Sequence, residues 1–214
     1  MTVPLAARLR TATHELHRAV ERAGLMPALL RGQLPLAGYL ALLRNLQAIY
    51  AALEAGLARH AAHPQLAPLA LDGLARAPAL VADLEALHGT GWAHELPVCK
   101  AGQAYVDRLQ RLADCQPGLL AAHAYVRYLG DLNGGQVLAR RVGLALQLAP
   151  GRGLAFYDFG PAERAAARAQ ALRAGLDVIA PDEAAAQALV EEACAAFGHH
   201  RELFEQLERP TFVH

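Results

Sequence analysis

Alanine and leucine dominate this chain from end to end, and alternating runs of β-branched residues are almost absent. A chain of helix formers buries its apolar surface by packing helix on helix. Prolines and glycines mark where each helix stops. A first helix is predicted from near Thr2 or Val3, with Pro4 in its first turn. Leu5, Leu9, Ala12, Leu16 and Val20 form its apolar stripe at helical spacing. A second helix follows Pro35, after which Pro64, Pro68 and Pro78 break the chain into short pieces. Ala79 to His88 and Cys99 to Asp114 read as further helices. Pro117 opens a long helical segment that ends at Pro150, Gly151 and Gly153. Residues 156–159 (FYDF) make a short aromatic connection. Pro161 starts a helix through Asp177, and Asp182 caps the last one, through about Leu207. The expectation is an all-α, single-domain bundle of about eight helices over residues 1–214, with ligand sites between facing helices.

Bulk properties exclude several classes. With 214 residues and 54% hydrophobic content, the chain can build a large core. Its 20 basic and 20 acidic residues leave no basic excess, which argues against a nucleic-acid binder. Cys99, Cys115 and Cys194 are odd in number and contain no C-x-x-C pair, so a reducing cytoplasm is the expected setting. Neither a signal-peptide-like apolar stretch at the start nor a hydrophobic tail after QLERPTFVH is visible, and no membrane span is expected.

Gly130, Gly134 and Gly135 sit inside a strongly helical pattern. Together they cost about 3 kcal/mol relative to alanine. Close helix packing is one explanation, because Gly130 and Gly134 are four apart. A phosphate loop is not, because no strand precedes them and no G-K-[ST] follows. The sharper explanation is a backbone that approaches a flat, bulky ligand, with the adjacent glycines permitting a kink. Arg127 and Asp131 share that face at i,i+4 spacing. On an open surface they would be a routine ion pair; beside a glycine patch they read as a polar network over a ligand.

His17 lies just off the apolar stripe of the first helix, with Arg10, Thr13 and Glu21 on the same flank. A lone histidine there is commonly structural. Arg10, however, lies two turns earlier, roughly 10 Å along the axis. That separation suits a ligand with iron at its centre and carboxylates at its edge, since neutral imidazole binds iron and arginine binds carboxylate. Glu21 is placed to accept the other ring N–H, directly or through water. His14 points to the opposite side. Glu85 and His88 form a single E-x-x-H pair, whereas a di-iron site needs two. His60 and His63 flank a proline-rich turn and are expected to be exposed.

Four segments carry a family resemblance: LRTATHELHRAVE (9–21), AHAYVRYLGDLNGGQVLAR (122–140), GLAFYDF (153–159) and AAFGHHRELFEQL (195–207). Together they resemble the haem oxygenases of mammals and bacteria, over nearly the whole chain. The resemblance implies haem b as substrate and cofactor, held between the first helix and the glycine-containing distal helix. It implies His17 as the axial ligand, and Arg10, Tyr125 and Arg173 as contacts to the propionates. Gly130, Gly134 and Gly135 match the distal-helix glycines. Asp131 matches the aspartate that organises distal water, with Tyr50 and Arg127 in the same network. Three positions depart from the family pattern. Ala169 stands where a propionate-binding lysine is common, leaving open whether Arg168 replaces it. His200 stands in place of an asparagine, and Asn133 in place of a serine.

The reaction implied is cleavage of haem by O2 to biliverdin, CO and ferrous iron. Electrons must come from outside, from a ferredoxin, flavodoxin or reductase, because no flavin or nicotinamide fingerprint is present. A biliverdin acceptor such as a bacteriophytochrome is a further partner the resemblance suggests. Two other classes fit a helical bundle. A thiaminase-like hydrolase would need a nucleophilic cysteine with acidic partners, and none of the three cysteines has such a motif. A non-catalytic haem carrier would bind haem without using Asp131.

Overall fold

A computed structural model describes residues 3–208. Residues 1–2, including Thr2, one of the two positions (with Val3) near which the first helix was expected to begin, and residues 209–214 lie outside that range. The described residues contain nine α-helices and no strand. They are α1 (Leu5–Val20), α2 (Met26–Leu30), α3 (Leu36–Arg59), α4 (Ala77–Leu87) and α5 (Trp92–Glu95), followed by α6 (Lys100–Cys115), α7 (Leu120–Ala145), α8 (Ala162–Leu176) and α9 (Glu183–Glu208). Short 3-10 turns precede α7 at Pro117–Leu119 and α8 at Ala155–Tyr157.

The long helices fall close to their predicted positions. Pro35 and Pro161 flank the starts of α3 and α8, where a missing N–H costs nothing. The Asp182 carboxylate accepts from the Ala185 N–H at 2.8 Å and opens α9. The helix α7 stays helical through all three glycines. The two helices not foreseen, α2 and α5, have five and four residues, too few to show a period. In α1 the stripe needs one correction. Ala12 is exposed, and Thr13 is buried in its place beside Leu5 and Leu9. The Thr13 hydroxyl tolerates burial because it donates to the Leu9 carbonyl at 2.7 Å. His60 and His63, expected to be exposed, are each half-buried.

Helix α3 is the centre of the bundle and packs on α4, α6, α7 and α9. It is also the one described helix with the length and apolar composition to cross a membrane, at a mean hydropathy of 1.2. Eleven of its residues are buried, from Tyr39 to Leu57, so this apolarity is spent inside the fold. Helices α1 and α7 both pack on α8 and α9. At the end of the α1–α2 turn the chain passes hard against α9. A Cβ on Gly24 (φ +51°) would meet the Phe204 carbonyl oxygen at 1.9 Å, and the next N–H, Leu25, donates to that oxygen.

Candidate haem site

On α1, His17 is 55% exposed, with its Nδ1 3.7 Å from the Glu21 Oε1. That distance exceeds a direct hydrogen bond. Phe197 of α9 meets the imidazole edge-on at 6.0 Å between centroids. His17 thus rests its ring against a buried aromatic and keeps Nε2 available. His14 is directed elsewhere and pairs with Glu15 at 3.0 Å. Glu85 gains no partner motif, and His88 instead approaches Glu95 at 3.6 Å. Among the described residues no three His, Cys, Asp or Glu side chains converge on a metal position. A metal held here through His17 must therefore bring most of its ligands with it.

A cationic flank adjoins His17. Thr13 Oγ1 and Tyr125 OH lie 3.3 Å apart and bridge α1 to α7. Burial pushes the Tyr125 phenol up, while Thr13 and the nearby charges of Arg173 and Arg10 oppose it. Both arginines are exposed. Arg10, Thr13, Tyr125 and Arg173 are thus neighbours, two cations and two hydroxyls of the kind that bind carboxylates. Arg168 is not part of this group. Its Nη1 donates to the Phe159 carbonyl at 2.9 Å, and its guanidinium fills the space left by Gly73 (φ +71°), where a Cβ would lie 2.1 Å away. Ala169 is buried. Arg168 is held by the connector before α8.

On α7 the glycines divide by role. A Cβ at Gly130 or Gly134 would meet nothing within 4 Å, so open space adjoins the backbone at both positions. Gly135 is buried against Tyr157, whose ring would lie 3.6 Å from an added Cβ. Between the two open glycines sits Asp131, with its side chain 13% exposed. Burial pushes the Asp131 carboxyl well above the usual carboxylate range. The Tyr50 hydroxyl of α3 donates to Asp131 Oδ2. Arg127 Nε donates to that same hydroxyl at 3.0 Å, and its guanidinium sits 4.8 Å from the Tyr50 ring centroid. Arg127 Nη2 reaches Asp131 Oδ1 only at 3.5 Å. The predicted trio of Asp131, Arg127 and Tyr50 is therefore one connected unit.

The region extends to His200, which stands where family members commonly carry an asparagine, and to a set behind it that was not foreseen. His200 of α9 receives Arg127 Nη1 at 2.7 Å. Behind it, Tyr105 of α6 bonds His123 Nδ1 at 3.0 Å, and His123 Nε2 faces Glu192 Oε1 at 2.9 Å. Arg108 Nε donates to the same Glu192 oxygen at 3.0 Å. The signal for this set is polar residues inside the buried stripe of α9, where Glu192 and His200 interrupt Ala193, Ala196, Phe197, Leu203 and Phe204.

Glu192 gives a stability test. Its side chain is 5% exposed. Burial pushes its carboxyl up, but hydrogen bonds from His123 and Arg108 outweigh that and hold it down at about 2. A depressed carboxyl stabilises the fold above its unfolded value of 4.5, and that stability is lost as pH falls from there towards 2. Glu192→Gln is expected to cost about 3 kcal/mol at pH 7. Urea unfolding across pH should show the two proteins converging as pH falls below about 4.5. A constant gap down to acid pH would remove the charge from this account.

The heme oxygenase family model matches residues 3–206. Heme oxygenase 1 of Nostoc sp. is 36% identical over 208 residues, covering 97% of this chain and 87% of the relative. Human heme oxygenase 1 is 38% identical over 210 residues, covering 97% of this chain and 73% of that one. A crystal structure of heme oxygenase-1 from Synechocystis sp. in complex with heme superposes with a TM-score of 0.90 at 36% identity, over 96% of this chain and 93% of that one. The heme oxygenase of Leptospira interrogans gives 0.89 at 32% identity, over 95% and 100%. On the strength of a match that spans both helices of the site and nearly everything between the termini, this chain belongs to the haem oxygenase family.

Proposed function

We propose that this chain, acting as a single domain, binds haem beside α1 and α7 and opens it to biliverdin. The observation that carries the reading is a combination. A lone available imidazole, a cluster of cations and hydroxyls, and a near-dry carboxyl flanked by open glycine backbone share one region. These residues fit haem, which brings four equatorial nitrogens and two carboxylates of its own and so needs little else.

In this reading His17 Nε2 holds the iron, and Glu21 steadies the other ring nitrogen, directly or through water. Arg10, Arg173, Tyr125 and Thr13 bind the propionates. With Arg168 committed elsewhere and Ala169 buried, Arg10 and Arg173 supply the cationic anchoring. Backbone at Gly130 and Gly134 lies against the opposite face, while Gly135 packs on Tyr157 behind it. The haem, once bound, supplies both the iron that takes up O2 and the ring that is oxidised, giving biliverdin, CO and ferrous iron with electrons from an external donor. Asp131 holds a water beside that face, and burial, which raises its carboxyl well above the usual carboxylate range, favours the protonated form that can donate there. Tyr50 fixes the carboxyl orientation by donating to it, and Arg127 fixes Tyr50. The buried Tyr157 and Phe156 close the dry side.

The donor is a ferredoxin, flavodoxin or reductase, and a bacteriophytochrome-type acceptor fits the product. Three free thiols, Cys99, Cys115 and Cys194, suit the cytoplasm.

The test is optical. Haemin added to the purified chain should give a Soret band, and a reductant in air should convert it to a biliverdin spectrum. A Soret band that persists under reductant would make the protein a carrier, and no Soret band would remove the haem site altogether.

A further inference from the structure

Within the distal unit one contact is out of proportion to the others. Arg127 is buried and lies four residues before Asp131 on the same helix, the spacing at which the two side chains commonly pair. Yet its guanidinium is 3.5 Å from the carboxylate and 2.7 Å from an imidazole. A buried cation offered a neighbouring carboxylate closes on it in two parallel hydrogen bonds unless another acceptor takes its protons. Here two other acceptors do so. Tyr50 OH accepts from Nε, and His200 Nε2 accepts from Nη1.

We propose that His200 is a positioning residue of the distal site: its unprotonated Nε2 takes the Nη1 proton of Arg127 and thereby holds the guanidinium off the Asp131 carboxyl. The inference rests on the functional reading above for the importance of Asp131, but not for its geometry.

Proton directions along the chain then follow from one nitrogen. Arginine only donates, so a ring nitrogen 2.7 Å from it must accept. The other ring nitrogen is left to bond the Ala196 carbonyl one turn back. Burial, with Arg127 and His123 beside it, keeps the imidazole neutral, far below its ordinary range. Arg127, so held, spends Nε on the Tyr50 hydroxyl. That hydroxyl has its own proton free for Asp131. The groups facing His200 are Arg127 and His123 from α7, Tyr105 from α6 edge-on at 5.2 Å, and His199 on α9. Those facing Asp131 are Tyr50, Arg127 and the buried Tyr157. None of them is a second carboxylate; burial raises the Asp131 carboxyl, and Arg127 is the one cation among these groups whose closer approach would oppose that.

Removal of the acceptor reverses the balance. In His200→Leu the buried Nη1–H loses its acceptor, and the guanidinium already has Asp131 Oδ1 3.5 Å from Nη2. The guanidinium swings onto the carboxylate, which then ionises and stops serving as a proton source. His200→Gln keeps an acceptor oxygen and should keep the wild-type arrangement.

The test uses the full chain without haem. Difference infrared spectroscopy across pH follows the protonated carboxyl band of Asp131, identified by its loss in Asp131→Asn. The midpoint in His200→Leu should fall by about one to three pH units, the effect of bringing an arginine onto an aspartate. His200→Gln should stay at the wild-type midpoint. An unchanged midpoint in His200→Leu overturns the proposal. If that variant does not fold, nitrogen-15 NMR of the wild-type histidines decides. A bare, hydrogen-bonded Nε2 on His200 supports the proposal, and a protonated Nε2 overturns it. Because no step needs haem, failure of biliverdin formation with these results intact counts against the functional reading alone.

Discussion

The His17→Ala protein folds normally, takes up haem weakly, and forms no biliverdin until imidazole is added. Both parts follow from position. The side chain is 55% exposed and its closest polar neighbour is 3.7 Å away, so truncation should cost the fold less than about 0.5 kcal/mol. Its loss should nevertheless remove the only protein bond to the iron. Deleting a residue that merely supports a metal ligand costs roughly 10–100-fold, so deleting the ligand itself should lower turnover by more than about 100-fold. Free imidazole can enter the vacated space because His17 lies on the half-open side of α1 against Phe197. The check is an absorption spectrum of the haem complex under reductant, with and without imidazole. Full activity of the variant without imidazole would remove His17 from the iron.

Asp131→Ala should bind haem as the wild type does and lose the product. Haem uptake depends on α1 and the cationic flank, neither of which touches Asp131. The oxygen chemistry depends on a proton held beside the open glycine backbone, and the alanine variant has none. A positioned proton donor contributes about 100- to 10,000-fold to a rate, and biliverdin formation should fall within that range. Peroxidase-like oxidation of added phenols should rise in its place. Stability should move little. Removing a buried carboxyl relieves its desolvation, while leaving Tyr50 OH and Arg127 Nη2 without an acceptor costs about 1–3 kcal/mol in the other direction. Unchanged biliverdin yield in the variant would dismiss Asp131 from the chemistry.

What could be read from the sequence divides along physical lines. Helices α1, α3, α6, α7, α8 and α9 were legible because each runs long enough to repeat an apolar face and carries a proline or capping residue near its start. The short α2 and α5 were not, because four or five residues show no period. The burial of Thr13 was not legible because it depends on a hydroxyl bonded to Leu9, which hydropathy does not register. The α7 part of the site was legible as a block, since Arg127, Gly130, Asp131 and Gly134 recur at helical spacing. Tyr50 lies 81 residues from Asp131 and could be joined to it only through family resemblance. Nothing of the kind pointed to Glu192, His123, Arg108 and Tyr105, which meet because α6, α7 and α9 pack together. Arg168 shows the converse. Its sequence position beside Ala169 suggested a substitute anchor, and only the structure reveals that the Phe159 carbonyl already holds it.

The central claim is that one haem lies with His17 on its iron and the Gly130–Gly134 backbone of α7 against its other face. An experimental structure of the haemin complex tests this most directly. The expected result is His17 Nε2 bonded to the iron, propionates met by Arg10, Arg173 and Tyr125, and Asp131 reaching the opposite face through water. Iron bonded to any other histidine, or haem seated away from the α7 glycines, would contradict it.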